Sequence, residues 1–175
     1  MGKLVKRSAK VAFMNVGDTG AQNFTRMTKF TEMSTSKNPK EYSRQYVDEE
    51  GETTDVTGYA EEKSYAFDQY TDNPVHEKIA TITDDELTGD DASVEVLVVD
   101  TSKPVAEGGY EARLRTYAVV PDSDGDSTEA YTYSGSLKAK GTFKKVVATI
   151  SEDKKTATIG EAVAQTNVED ESAGE

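Results

Sequence analysis

The segment PDSDGDSTE, Pro121 to Glu129, holds the clearest set of oxygen ligands in the chain. Asp122, Asp124 and Asp126 are spaced by two, with Glu129 following, a pattern whose chemistry would be Ca2+ binding. A calcium loop of the EF-hand kind needs its Gly after the third acidic position, flanked by helices. Here Gly125 stands between the second and third acids, and the flanks carry no helical period. An exposed hairpin loop rich in turn formers is the better expectation.

His76 is the lone His and falls in the first turn of an expected helix, a poor place for a cation. It reads as a surface or packing residue. Lys138, Lys140, Lys144 and Lys145 cluster on adjacent extended segments and could touch phosphates. A solvated strand face or a protected sheet edge explains them as well. Many carboxylates could serve as general acids or bases, and no spacing singles out a pair. The chain has no phosphate-binding glycine loop, nucleophile elbow or zinc spacing. It has no Cys, which excludes disulfides and thiolate chemistry. Neither an enzyme nor a cofactor is expected.

The elements that would position these residues are mostly strands. Residues 1–23 lack a sustained period and carry Gly2, Gly17 and Gly20, so they read as an N-terminal arm. From Phe24 the Thr-rich FTRMTKFTEM alternates as a strand does. Asn38-Pro39 starts a turn. EYSRQYV and TTDVTGY then pair as a hairpin over residues 41–57, with the acidic tip DEEGE, Asp48 to Glu52. So little of it is apolar that it cannot be stable alone in water. It must lie on a neighbour or await one. Tyr59 to Tyr70 is a strand candidate in which period two puts Tyr65 and Phe67 on one inward face.

TDNPV starts a helix at about residues 73–83, with Asn73 as N-cap, Pro74 at the first helical position and Glu77 in the first turn. Val75, Ile79 and Ile82 form its apolar stripe. ASVEVLVVD contributes Val96 and Val98 to a buried strand, and Leu114 lies on the next. Gly135 and Gly141 mark bends among the late strands. NVEDESAGE ends the chain as an acidic tail, so residues 24–162 read as one domain and 163–175 as a flexible tail. Strands before and after a single helix, without alternation, indicate a mainly β or α+β fold.

The charge is unevenly placed. Residues 1–40 hold eight Lys and Arg against two Asp and Glu, whereas residues 41–100 hold three against eighteen. The whole chain stands at −13, lacking the basic footprint of a nucleic-acid binder. A basic segment of one copy is suited to an acidic face of the next. The longest apolar run, VLVV, is far below the ~20 residues that cross a bilayer, so no membrane is expected. MGKLVKRSAKVAF lacks the apolar stretch of a secretory signal, and none is expected.

SKNPKEYSRQYVDEEGETTDVTGYAEEKSYAFDQYTDNPV, Ser36 to Val75, resembles the N-terminal half of major tail tube proteins of long-tailed, non-contractile phages and their prophages. SGSLKAKGTFKKVVATIS, Ser134 to Ser151, resembles the closing strands of the same family, and the likeness runs from about Phe24 to Gly160. It rests on overall order and short stretches rather than a strict motif. The resemblance implies a β-sandwich or barrel-forming fold with one flanking helix, a long hairpin loop and extended arms. It implies homo-oligomers: hexameric rings stacked head to tail into a virion tail tube, assembled in the host cytoplasm.

The implied partners are further tail proteins (tape measure, tail terminator, baseplate or distal tail). DNA would pass through the lumen without specific binding. The implied ring-stacking residues are Tyr42, Arg44, Tyr46, Asp48, Glu49, Glu50, Glu52 and Asp55. The resemblance carries no catalytic residue. Contractile injection systems share the fold, so their tube subunits stay open as an alternative. So does a soluble β-sandwich binding or adhesion module using calcium at Asp122, Asp124 and Asp126.

Overall fold

Period-two alternation dominates the sequence, and the computed structural model, which describes residues 2–18 and 21–160, turns it into ten strands and one α-helix. The strands are β1 (Lys10–Asn15), β2 (Phe24–Arg26), β3 (Phe30–Ser36), β4 (Pro39–Gln45), β5 (Glu52–Tyr59) and β6 (Glu62–Asp68). After helix α1 (Pro74–Asp84) come β7 (Ser93–Pro104), β8 (Tyr110–Asp124), β9 (Thr132–Ile150) and β10 (Thr156–Ile159). The fold is mainly β with a single α-helix among the described residues.

Eight strands form one antiparallel sheet in the order β10-β2-β1-β7-β8-β9-β6-β3. β10 also pairs with β9, through Ala157–Ile150, Thr158–Thr149 and Ile159–Ala148. That pairing closes a ring of six strands, β9-β10-β2-β1-β7-β8. β9 is 19 residues long and serves two structures. Its second half completes the ring, while its first half pairs with β6 from Thr132 to Lys138. A closed ring has no free edges, which is how short strands such as β2 and β10 are held.

Two cores result. Phe13, Phe24, Leu97, Val99, Ala112, Val146, Ala148 and Ala157 form one cluster, drawn from all six ring strands, and fill the barrel. The second cluster lies between the sheet and α1 and includes Met14, Tyr65, Phe67, Val75, Ile79, Ile82, Val96, Tyr117, Val119, Tyr133 and Leu137. β7 feeds both, with Val94 and Val96 turned to the helix side and Leu97 and Val99 to the barrel. Val98 and Leu114, expected in the core, are only half-buried and pack at the cluster margins. Val98 alternates with the fully buried Leu97 and Val99, whose barrel face takes the deeper position, while Leu114 stands between exposed Arg113 and half-buried Arg115.

Helix α1 begins as its sequence dictates. The Asn73 Oδ1 accepts from the amides of Val75 at 3.1 Å and His76 at 3.3 Å, and Pro74 fills the first position. Burying Val75, Ile79 and Ile82 contributes about 1.5–3 kcal/mol each.

One expectation is corrected here. The sequence leads to the expectation of an N-terminal arm up to residue 23, but Lys10–Asn15 is a strand between β2 and β7, and Phe13 and Met14 are fully buried. The strand is too short for a convincing alternation. Its two aromatic and thioether side chains enter opposite cores, which erases the one-sided pattern that marks a half-buried strand. The Phe24-to-Met33 stretch is also two strands, separated where Lys29 adopts φ 58°.

Candidate assembly surfaces

The hairpin is thin in apolar residues and strongly acidic, and its strands β4 and β5 pair only with each other. Tyr42, Arg44, Tyr46, Asp48, Glu49, Glu50, Glu52 and Asp55 are all exposed on it. Tyr42 faces Asp55 across the ladder, Gln45 faces Glu52, and the Arg44 guanidinium lies 6.0 Å from the Tyr42 ring centre. Seven paired residues give the hairpin a reach of roughly 23 Å at strand rise. Val47, at the tip, is fully exposed, and Tyr46, Val56 and Tyr59 add further apolar surface. A two-stranded ribbon with no core of its own needs outside support.

The hairpin is rooted on a buried charge cluster. In EEKSYAF the period that puts Tyr65 and Phe67 inside also puts Glu61 and Lys63 inside. The Glu61 side chain is 7% exposed. One carboxylate oxygen accepts from the Tyr117 hydroxyl at 2.5 Å and lies 3.3 Å from the Lys63 ammonium. The other pairs with Lys37 and lies 3.4 Å from the Arg115 guanidinium. Arg115 in turn donates from Nε and Nη2 to the Gly141 carbonyl, at 3.1 and 2.9 Å. Gly141 (φ 75°) opens an irregularity in the β8–β9 ladder between the Leu114–Lys144 and Thr116–Lys140 pairs.

Burial opposes the Glu61 charge, yet hydrogen bonds from Lys37 and Tyr117 and the Lys63 and Lys37 charges outweigh it. The carboxyl is pulled down to about 2. Burial likewise pulls Lys63 below its ordinary value, against the opposing pull of Glu61, and pushes the Tyr117 hydroxyl up. Lys37 precedes β4 and Glu61 follows β5, so the cluster fastens both feet of the hairpin to the sheet. Sequence reasoning missed this cluster. The signal was the inward parity of Glu61 and Lys63, two steps and one step back along the strand from Tyr65.

A second surface lies between β1 and β3. A groove of about 520 Å³ opens there, with Val11, Met27, Phe30 and Met33 among its apolar lining. Arg7, Lys10, Arg26 and Lys29 also line it, and none of its lining residues is acidic. Arg7 reaches across, donating to the Met33 carbonyl at 3.5 Å. None of the four cations is in an ion pair among the described residues. β3 pairs only with β6, so its other edge borders this groove open.

The calcium candidates Asp122, Asp124 and Asp126 do not converge on one point. Asp122 and Asp124 are on β8, Asp124 accepts from the Tyr131 hydroxyl at 2.5 Å, and Asp126 accepts from Ser123 at 2.9 Å. Among the described residues no three His, Asp or Glu side chains converge to hold a metal ion. The carboxylates instead stitch the loop to its own strands. His76 is a core residue: Nδ1 accepts from the Tyr70 amide at 3.2 Å, leaving Nε2 to donate to the Thr28 carbonyl at 3.0 Å. Its ring stacks on Phe67 at 4.2 Å, and burial lowers its proton affinity. Lys138, Lys140, Lys144 and Lys145 are exposed on β9; Lys138 lies where β9 pairs with both β6 and β8, whereas Lys140, Lys144 and Lys145 lie where it pairs with β8 alone, on a free edge that lysines can protect. Among the described residues no helix is long and apolar enough to cross a membrane.

A closed barrel, a sheet extension covered by one helix and a projecting acidic hairpin define a mainly β fold with an exposed hairpin and a basic groove. That fold is the tail tube fold. The chain is similar to the SPP1 tail tube subunit, with a TM-score of 0.62 at 13% identity, covering 81% of this chain and 78% of that one. It is similar to a chain in the tail of an empty gene transfer agent particle refined with C6 symmetry (TM-score 0.55, 13% identity, 79% and 96% covered). It is also similar to one in the native gene transfer agent virion (TM-score 0.53, 13% identity, 81% and 98% covered). No family model and no curated protein sequence matches the chain.

Proposed function

We propose that the chain is a structural, non-enzymatic subunit that self-assembles into stacked hexameric rings forming a phage tail tube, the conduit for DNA ejection. The observation that carries this reading is the likeness of fold to the SPP1 tail tube subunit over 81% of the chain. The exposed acidic hairpin supports it, because a surface that contacts a different surface on the next copy builds a filament instead of a closed pair. Six-fold rings follow the symmetry of the gene transfer agent tail.

In this reading the subunit resides in the virion tail after assembly in the host cytoplasm. Tape measure, terminator and distal tail proteins are its further partners. The net charge of −13 repels DNA phosphates, so DNA passes the lumen without sticking. Negative-stain microscopy of the purified protein at rising concentration tests the reading. Rings about one subunit thick, or hollow tubes, are expected. A monomer that persists at the highest attainable concentration overturns it.

A further inference from the structure

We propose that the hairpin tip of one copy seats in the groove between β1 and β3 of another. This rests on the assembly reading and names the receptor surface that reading leaves open. The tip, YVDEEGE from Tyr46 to Glu52, presents four carboxylates and no cation. Just before them stands the fully exposed Val47, beside Tyr46. The groove presents the converse, four cations around apolar side chains and no acid in its lining.

Val47 and Tyr46 fit the Val11, Met27, Phe30 and Met33 surface, where removing apolar area from water drives the contact. The tip carboxylates then meet Arg7, Lys10, Arg26 and Lys29, which sets register and speeds encounter more than it adds affinity. The open edge of β3 lies alongside and can accept backbone hydrogen bonds from a strand laid against it.

The donor and receptor surfaces are distinct on one chain. β4 and β5 pair only with each other, and no hairpin residue lines the groove. The contact is therefore heterologous and propagates. A rival occupant is the acidic sequence after Gly160, because β10 pairs with β2 through Thr156–Thr25 and Ala157–Phe24, close to Arg26.

The chain is free of Cys, so introduced thiols report on single sites. Ser8, exposed in the groove lining, and Val47, exposed at the tip, are replaced in separate copies as Ser8→Cys and Val47→Cys. The two are mixed, assembled and treated with a short thiol-specific cross-linker, with tubes counted by microscopy in the same sample. A linked dimer is expected in the tubes, and 1 M salt, where the screening length is about 3 Å, is expected to reduce both.

A control replaces Ser8→Cys by the exposed Glu107→Cys, and its link should be several-fold weaker. Tubes without the Ser8–Val47 link, or with one no stronger than the control, overturn the pairing and leave the assembly reading standing. A link from Ser8→Cys to Ala173→Cys copies in place of Val47→Cys copies also overturns it, in favour of the C-terminal residues. Absence of any ring or tube overturns the assembly reading, and the pairing with it.

Discussion

The Tyr117 hydroxyl donates to the Glu61 carboxylate at 2.5 Å, joining residues 56 positions apart in the chain. This bond ties β8 to the short link between β5 and β6, where the projecting hairpin returns to the sheet. The hairpin is exposed at every residue but Gly58, so its direction depends on this fastening.

Removing the anion is expected to be worse than neutralising the whole cluster. Glu61→Ala leaves Lys63 and Arg115, whose side chains are about 10% exposed, without their counter-charge. Losing one partner of a buried ion pair costs about 3–5 kcal/mol. Urea unfolding of Glu61→Ala should show this loss, and the triple replacement Glu61→Leu, Lys63→Leu, Arg115→Leu should recover part of it. Equal losses in the two would show that the charges do not depend on one another.

Stability should fall with acid in two stages. His76 is buried and neutral, with lowered proton affinity, so the unfolded chain takes up its proton first. Stability declines as pH drops below the unfolded His value of about 6.5. Glu61 is depressed to about 2, so its contribution is full above the unfolded Glu value of about 4.3. It is lost as pH falls to about 2, a change of roughly 3 kcal/mol. Unfolding midpoints measured from pH 8 to 2 check both stages. His76→Phe should flatten the first and Glu61→Gln the second.

Two glycines should respond to alanine differently. A Cβ on Gly135 would stand 2.5 Å from the Val120 carbonyl oxygen and 2.7 Å from the buried Tyr65 hydroxyl. One of these contacts is backbone, so the strand must move, at a cost typical of overpacking, about 1–3 kcal/mol. At Gly141 there is open space, and only the positive φ of 75° penalises alanine, by about 1 kcal/mol. Thermal melts of the two variants should rank Gly135→Ala the less stable.

Shortening the hairpin should separate folding from assembly. Replacing residues 40–58 by a two-residue Asn-Gly turn removes little buried surface and leaves both cores and the Glu61–Tyr117 bond in place. The melting temperature is expected to change by only a few degrees, while tube yield on microscopy drops to background. Tubes in normal yield would remove the hairpin from the stacking contact.

What sequence alone determined was local. Asn73-Pro74 specifies the start of α1 because an N-cap oxygen and a preset φ act within four residues. The parity of Tyr65 and Phe67 specifies their inward face, and the acidic ribbon between Asn38 and Ala60 has too little apolar surface to be stable alone. Tertiary structure decided what depends on contacts distant in sequence. Lys10–Asn15 becomes a central strand because Phe13 and Met14 have cores waiting on opposite sides, a fact no one-sided period can encode. Glu61 is a buried anion only because Lys37, Lys63, Arg115 and Tyr117 converge on it from three segments. A carboxylate is kept out of water only by the groups that replace its hydration, and their convergence is a property of the fold.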